Sequence, residues 1–236
     1  MKHKILAMSL AGLTILSLCA CENDDGHESN NGNLTRTSIT RNYKVKSFNN
    51  ISGDIDNSDL LIKKGSDFKV TYHGSKNMAP KVSVKNNQLN IKQTSSGGDS
   101  DDAITTVTVK QGNLNRIQTH VYDGDIELNN LIFNDKLIAS TSDGDVELRK
   151  LSLKNKGTIT TSDGDIELIN VSLNKGLSIK TSDGDITGHN VDASGYTAKA
   201  LDGDISLFGK SRSTYGNINS NALKISTDSG DIRITR

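Results

Sequence analysis

The chain has 236 residues with 28 Lys plus Arg against 28 Asp plus Glu, a formal net charge of zero. That balance excludes general DNA or RNA binding, which draws its affinity from an excess of Lys and Arg over phosphate, and it also points away from a charge-driven partner. With 1 Pro, no Trp, 5 Tyr and 4 Phe, the composition argues against an aromatic-lined sugar cleft and against proline-built linkers.

Lys2 and Lys4 precede an apolar run from Ile5 to Leu18, the charged entry and short hydrophobic core of a secretory signal. The run is too short to span a bilayer securely. It ends in Leu18-Cys19-Ala20-Cys21 followed by Glu22-Asn23-Asp24-Asp25, which resembles a bacterial lipoprotein processing box with Cys21 as the modified residue. Cys19 fits less well, because bulky Leu18 would then sit at the cleavage point. A plain secreted chain with a Cys19–Cys21 pair or free thiols is the other reading. Diacylation at Cys21 would supply the two-chain anchor that stable membrane attachment needs. The expected address is therefore the bacterial cell envelope, lipid-anchored, with the folded part outside the cytoplasmic membrane.

Residues 1–21 thus form a lipoprotein signal segment. Residues 22–42 are rich in Asn, Asp, Ser, Thr and Gly and read as a flexible tether. His27, near Asp24 and Asp25, is read as linker and not as a metal ligand. Residues 43–236 form the domain.

Within it, residues 43–122 read as divergent coils. Val45, Phe48, Ile51 and Ile55 surround Ser52-Gly53-Asp54, and Phe68, Val70, Val82, Val84, Leu89 and Ile91 continue a strand pattern. Gln93 to Ala103 is a polar loop, and Pro80 belongs to a turn between strands.

The main signal lies in residues 123–204. Asp123-Gly124-Asp125, Asp143-Gly144-Asp145, Asp163-Gly164-Asp165, Asp183-Gly184-Asp185 and Asp202-Gly203-Asp204 recur at intervals of 20, 20, 20 and 19, and Ser229-Gly230-Asp231 follows after 27. Repeats of this size are units that cannot bury their apolar faces alone and must stack. Ile166, Leu168, Val171, Leu173, Leu177 and Ile179 fill slots held one unit earlier by Val146, Leu148, Leu151, Leu153 and Ile159. Alternation within each run sets Glu127, Glu147 and Glu167 on the opposite face. Three short strands per coil follow. The predicted fold is all-β, a single-chain right-handed parallel β-helix or solenoid of about 20-residue coils, with sequential coils paired in parallel. A stacked antiparallel sandwich is the alternative. Small residues at Gly188, Ala193, Ala198 and Ala200 predict a narrower fourth coil. In residues 205–236, an excursion from Gly209 to Asn219 reads as a cap before the strands at Leu223–Ile225 and Ile232–Ile234.

The repeated acids admit a structural and a chemical reading. Asp-Gly suits a tight turn, since Gly takes positive φ and the acid accepts turn amides. Gly53, Asp54, Gly124, Asp125, Gly144, Asp145, Gly164, Asp165, Gly184, Asp185, Gly203, Asp204, Gly230 and Asp231 are assigned to such turns. A calcium column is the chemical alternative. Acids that recur in every coil look like scaffold and not like one catalytic constellation. His73, His120 and His189 are isolated, and no nucleophile elbow or phosphate loop is present. We expect no catalytic residue, no cofactor and no metal site.

Phe48-Asn-Asn-Ile51-Ser-Gly-Asp54-Ile55, the recurring Thr-Ser-Asp-Gly-Asp-Ile/Val of 141–146, 161–166 and 181–186, and Thr227-Asp-Ser-Gly-Asp-Ile232 resemble the bacterial putative-adhesin family of repetitive β-helix-like domains across residues 43–236. The resemblance implies a cell-envelope domain, and related domains are associated with sensing envelope stress or antimicrobial peptides. It carries over no catalytic or ligand residue, because the shared motif is a turn. The leading expectation is a lipoprotein that binds an envelope, cell-wall or host-surface macromolecule. Thr105, Thr108, Lys110, Gln118 and His120 are its candidate contact face, set against a plain solvated surface. Stress or peptide sensing is the second expectation, and a polysaccharide-active enzyme a more remote one.

Overall fold

A computed structural model describes residues 38–94 and 103–236. Cys21, the signal segment, most of the tether and residues 95–102 of the polar loop lie outside the described residues.

Each coil pairs two main strands flanking one tight turn, and the turn residue serves here as the coil's label. The Gly124 coil contains strands Asn113–Asp123 and Ile126–Asn129; the Gly144 coil, Ile132–Asp143 and Val146–Leu153. Gly157–Thr160 and Ile166–Leu173 make the Gly164 coil, and Leu177–Lys180 and Ile186–Asp192 the Gly184 coil. These four stack in chain order as parallel neighbours 20 residues apart, with Val146 beside Ile126 and Ile166, and Ile159 beside Ala139 and Ile179. A third short side follows a corner at Asn130, Lys150, Asn170 and Asn190, which have φ of 57°, 53°, 56° and 53°. Leu151 to Leu153 there pair with Val171 to Leu173. The left-handed backbone lets the chain change direction without ending the ladder.

Every second side chain turns inward. Leu128, Leu148 and Leu168 form one fully buried column; Ile126, Val146, Ile166 and Ile186 form another. One continuous core runs through the stack. Each such side chain contributes about 2 kcal/mol of burial, realised only when a neighbouring coil covers it.

Sequential stacking does not extend to the ends. The last coil, Leu223–Ser229 and Ile232–Thr235 around Gly230, lies between the Gly184 coil and the Gly203 coil of Gly195–Asp202 and Ile205–Leu207: Ile225 pairs with both Ile179 and Ala198, and Ile232 with both Ile186 and Ile205. At the other end, Asn50–Asn57 and Asp59–Gly65 stack directly on the Gly124 coil, and Gln88–Lys92 and Ile104–Lys110 lie outside them. The outer surfaces are closed by antiparallel strands, Lys81–Lys85, Lys69–Ser75 and Ser38–Tyr43 at one end, Lys210–Ser211 and Thr214–Gly216 at the other. Ser38–Tyr43 includes residues that the sequence reading placed in the tether; their alternating Ile39, Arg41 and Tyr43 pair with the strand ending at Ser75.

The expected narrowing is filled instead. A Cβ at Gly188 would lie 2.7 Å from Ile234 Cδ1, so the glycine admits the inserted coil. Tyr196, Phe208 and Tyr215 form a ring cluster packed against the core, with centroids 4.6 to 6.1 Å apart.

Gly53 and Asp54 are not a turn. They lie inside Asn50–Asn57, paired with Thr119 and His120. A Cβ at Gly53 would meet Thr119 Oγ1 at 2.5 Å, so close packing and not turn geometry requires the glycine. The turn of this coil is Asn57-Ser58-Asp59, with Ser58 where later coils have glycine.

Candidate functional site

The turns stack into an edge made by main-chain hydrogen bonds and repeated acids. In spatial order its aspartates are Asp59, Asp125, Asp145, Asp165, Asp185, Asp231 and Asp204. Oδ1 of each accepts the backbone N–H of the next, at 2.9, 2.8, 2.7, 2.7, 2.7 and 2.8 Å. Charge-assisted bonds of this length bind one coil to its neighbour. Behind them, the buried hydroxyls of Thr141, Thr161, Thr181 and Thr227 donate to the carbonyls of Gly124, Gly144, Gly164 and Gly184 at 2.9 to 3.0 Å. Gly124, Gly144, Gly164, Gly184, Gly203 and Gly230 have φ between +140° and +151°. A Cβ at Gly164 would stand 2.1 Å from the Gly144 carbonyl oxygen, so only glycine lets successive turns touch.

Partial burial pushes the Asp165 carboxyl above its ordinary range; the N–H of Asp185 opposes the shift, and the charges of Asp145 and Asp185 reinforce it. The edge therefore holds some electrostatic strain. Among the described residues no group of three or more His, Cys, Asp or Glu side chains is placed to hold a metal ion.

Charge is segregated around each coil although the chain is neutral. The turn segments 121–125, 141–145, 161–165 and 181–185 hold eight Asp and no Lys or Arg. The segments that close the third side, 134–136, 154–156 and 174–176, hold four Lys and one Asp. Arg116 Nη2 engages that Asp135 at 3.0 Å. Lys136, Lys154, Lys156 and Lys175 are exposed. Neither this edge nor the asparagine corner, where Asn190 Nδ2 donates to Asn170 Oδ1 at 2.6 Å, was singled out from sequence; Asn at 130, 170 and 190, in step with the repeat, is the signal that could have found the corner.

An outward sheet face spans the strands that lead into the turns. Ser52, Gln118, Ile138, Thr158, Ser178, Lys224 and Thr197 form one cross-strand row, and Asp54, His120, Ser140, Thr160, Lys180, Ser226 and Lys199 the next. The predicted contact set does not share this face. Gln118 and His120 lie on it, whereas Thr105 is buried with its hydroxyl 3.3 Å from Ser58 Oγ, and Thr108 and Lys110 belong to Ile104–Lys110, which pairs with the other side of the coil. Thr105 faces inward with Val107 and Val109, on the opposite side of the strand from Thr108 and Lys110.

His120 Nδ1 lies 3.0 Å from Ser140 Oγ, with Asp54 the partner of His120 on the adjoining strand. The order Asp, His, Ser suggests a hydrolytic row, yet the chemistry is missing. Asp54 is engaged by Lys92 at 3.5 Å, and the Ser140 hydroxyl donates to the Thr119 carbonyl. The surrounding N–H groups are committed to the parallel ladder, so no donor pair faces a developing oxyanion. His73 meets Ser38 and Thr40 hydroxyls, and His189 meets Thr235, in the same cross-strand fashion.

Residues 48–236 match the family model described as Toastrack DUF4097. No curated protein matches. A "putative adhesin" from Bacteroides fragilis is 20% identical, with 85% of this chain and 98% of that chain covered and a TM-score of 0.49. A "putative cell adhesion protein" from Clostridium sporogenes is 14% identical, covering 84% of this chain and 99% of that one at a TM-score of 0.47. A "putative lipid binding protein" from Parabacteroides distasonis is 14% identical over 86% of this chain and 98% of that chain, with a TM-score of 0.36.

Proposed function

The chain belongs to the Toastrack DUF4097 family, and from that premise we propose that it is an envelope lipoprotein, anchored through Cys21, whose right-handed β-solenoid binds another macromolecule. Parallel strands joined within one sheet are almost always connected right-handedly, which supports the handedness. Lys2, Lys4, the apolar run and Leu18 to Cys21 support the anchor. The observation that carries the binding role is the outward sheet: two rows made mostly of Ser, Thr, Gln, His and Lys, with Ile138 and Asp54 among them, held in parallel register from Ser52 to Lys199. Such rows offer hydrogen-bond donors and acceptors at the strand spacing of about 4.8 Å, suited to an extended polymer or a protein strand and not to a small molecule in a cleft. The acidic turn edge supports a second reading, in which the domain senses a cationic antimicrobial peptide.

The test is crosslinking in native cells, with the full chain compared with one that keeps residues 1–37 and lacks the coils. A partner retained only by the full chain is the expected result, and its identity separates adhesion from peptide sensing. Equal crosslinking by both chains, under growth and envelope stress, overturns the binding role.

A further inference from the structure

We infer that the third side of the coils is a docking face for an anionic lipid bilayer, so that the domain sits with this side toward the membrane and its aspartate edge away from it. Ile132, Ser152 and Ser172 point outward along this side in register. Lys150 flanks them at the asparagine corner, and Lys136, Lys154, Lys156 and Lys175 flank them at the opposite edge. The nearby acids are Asp135, neutralised by Arg116 at 3.0 Å, and Asp192, across the ladder from Ser172. The side thus carries a surplus of exposed ammonium groups.

Two features favour a bilayer over a soluble polyanion. The lysines rim a side whose outward row runs Ile132, Ser152, Ser172 and Asp192, with no stacking aromatic among them and the nearby Arg116 committed to Asp135, so it lacks the groups that read the units of a polymer. The chain before the domain is also short: residues 22–37 span at most about 55 Å fully extended, so a domain anchored at Cys21 meets headgroups at high local concentration. Lysines within a Debye length of an anionic surface add their attractions, and the aspartates on the far edge are repelled, so the same field that binds also orients. Net charge conceals this, because the opposing groups cancel in the sum and not in space.

The anchored reading supplies proximity only, so the test removes the lipid. The chain that remains after the expected cleavage, residues 21–236 carrying Cys21→Ser, is sedimented with phosphatidylcholine vesicles containing about one-third phosphatidylglycerol, and with pure phosphatidylcholine vesicles. Binding to the anionic vesicles alone, abolished by high salt, is expected. Lys154→Glu/Lys156→Glu/Lys175→Glu should weaken it by about tenfold or more, the matching Gln variant should fall between, and Asp143→Asn/Asp163→Asn/Asp183→Asn should retain it, circular dichroism reporting that each remains folded. Equal binding to both vesicles, wild-type binding by the Glu variant, or lysine-dependent binding to polyphosphate without binding to vesicles each overturns the inference. Labelling of the unmutated chain with radioactive palmitate tests the anchor separately: lack of label with vesicle binding intact removes the anchor and leaves the docking face.

Discussion

From Gly124 to Gly184 every coil packs against the coil 20 residues away, whereas at the C-terminal end the Gly230 coil enters between two coils that are consecutive in the chain. The turn chemistry is the same in both regions. Thr227 donates to the Gly184 carbonyl as Thr181 does to that of Gly164, and Asp231 continues the aspartate ladder. A turn motif therefore makes a coil compatible with the stack without choosing its place in it. Side-chain fit chooses: Gly188 leaves the space that Ile234 fills, and Ala198 lies beside larger Ile225.

Deletion of residues 209–236 should have the largest effect on the inserted arrangement. Leu223, Ile225, Ile232 and Ile234 are buried at 0 to 3% exposure, and losing them removes roughly 6–12 kcal/mol of burial, as much as a domain's whole stability. Hydrogen exchange should then be fast through residues 196–207. Retained protection there would mean that the Gly203 coil can stack directly on the Gly184 coil.

Gly164→Ala attacks the regular region. Its Cβ would meet the Gly144 carbonyl at 2.1 Å with φ +147°, whereas at Gly209, with φ +73°, nothing lies within 4 Å. Denaturant titration should show a loss of more than about 3 kcal/mol for the first and about 1 kcal/mol for Gly209→Ala. Comparable losses would remove the case for close turn packing.

Hydroxyls sharpen the contrast further. Thr181→Val leaves the Gly164 carbonyl without its side-chain donor and should cost about 1–2 kcal/mol. Thr119 Oγ1 has no hydrogen-bond partner, so Thr119→Val should be neutral within about 0.5 kcal/mol.

The smallest effect is a gain. Because the folded state raises the Asp165 pKa, its ionised form is disfavoured on folding, and stability is reduced at pH values above the folded pKa and recovered as pH falls through it. Asp165→Asn should raise the melting temperature at neutral pH, with the advantage shrinking on acidification. A lower melting temperature at neutral pH would show that the charge-assisted ladder outweighs the cost of burying the carboxylate beside its neighbours.

Much of this architecture is legible in the sequence because repetition makes local chemistry redundant. The inward slots at Ile126, Val146, Ile166 and Ile186 and the glycines from Gly124 onward recur at fixed spacing, so period and alternation suffice to find them. Gly53 misled because Ser-Gly-Asp is also compatible with a strand interior when a neighbour such as Thr119 crowds the position. Thr105 misled because a polar residue can occupy an inward slot when a hydroxyl such as that of Ser58 meets it. The order of the terminal coils depends on contacts between segments 46 residues apart, as between Ile186 and Ile232, which no local pattern encodes. The basic third side was hidden by neutral net charge and emerges only when coils are superposed.

The most direct test of the inserted coil is methyl nuclear Overhauser spectroscopy of the intact domain in the full chain. Neighbouring parallel strands lie about 5 Å apart and strands once removed about 10 Å. Cross-peaks are expected from Ile225 to both Ile179 and Ala198, and none between Ile179 and Ala198. A strong cross-peak between Ile179 and Ala198, with Ile225 contacting only one of them, would contradict the inserted arrangement.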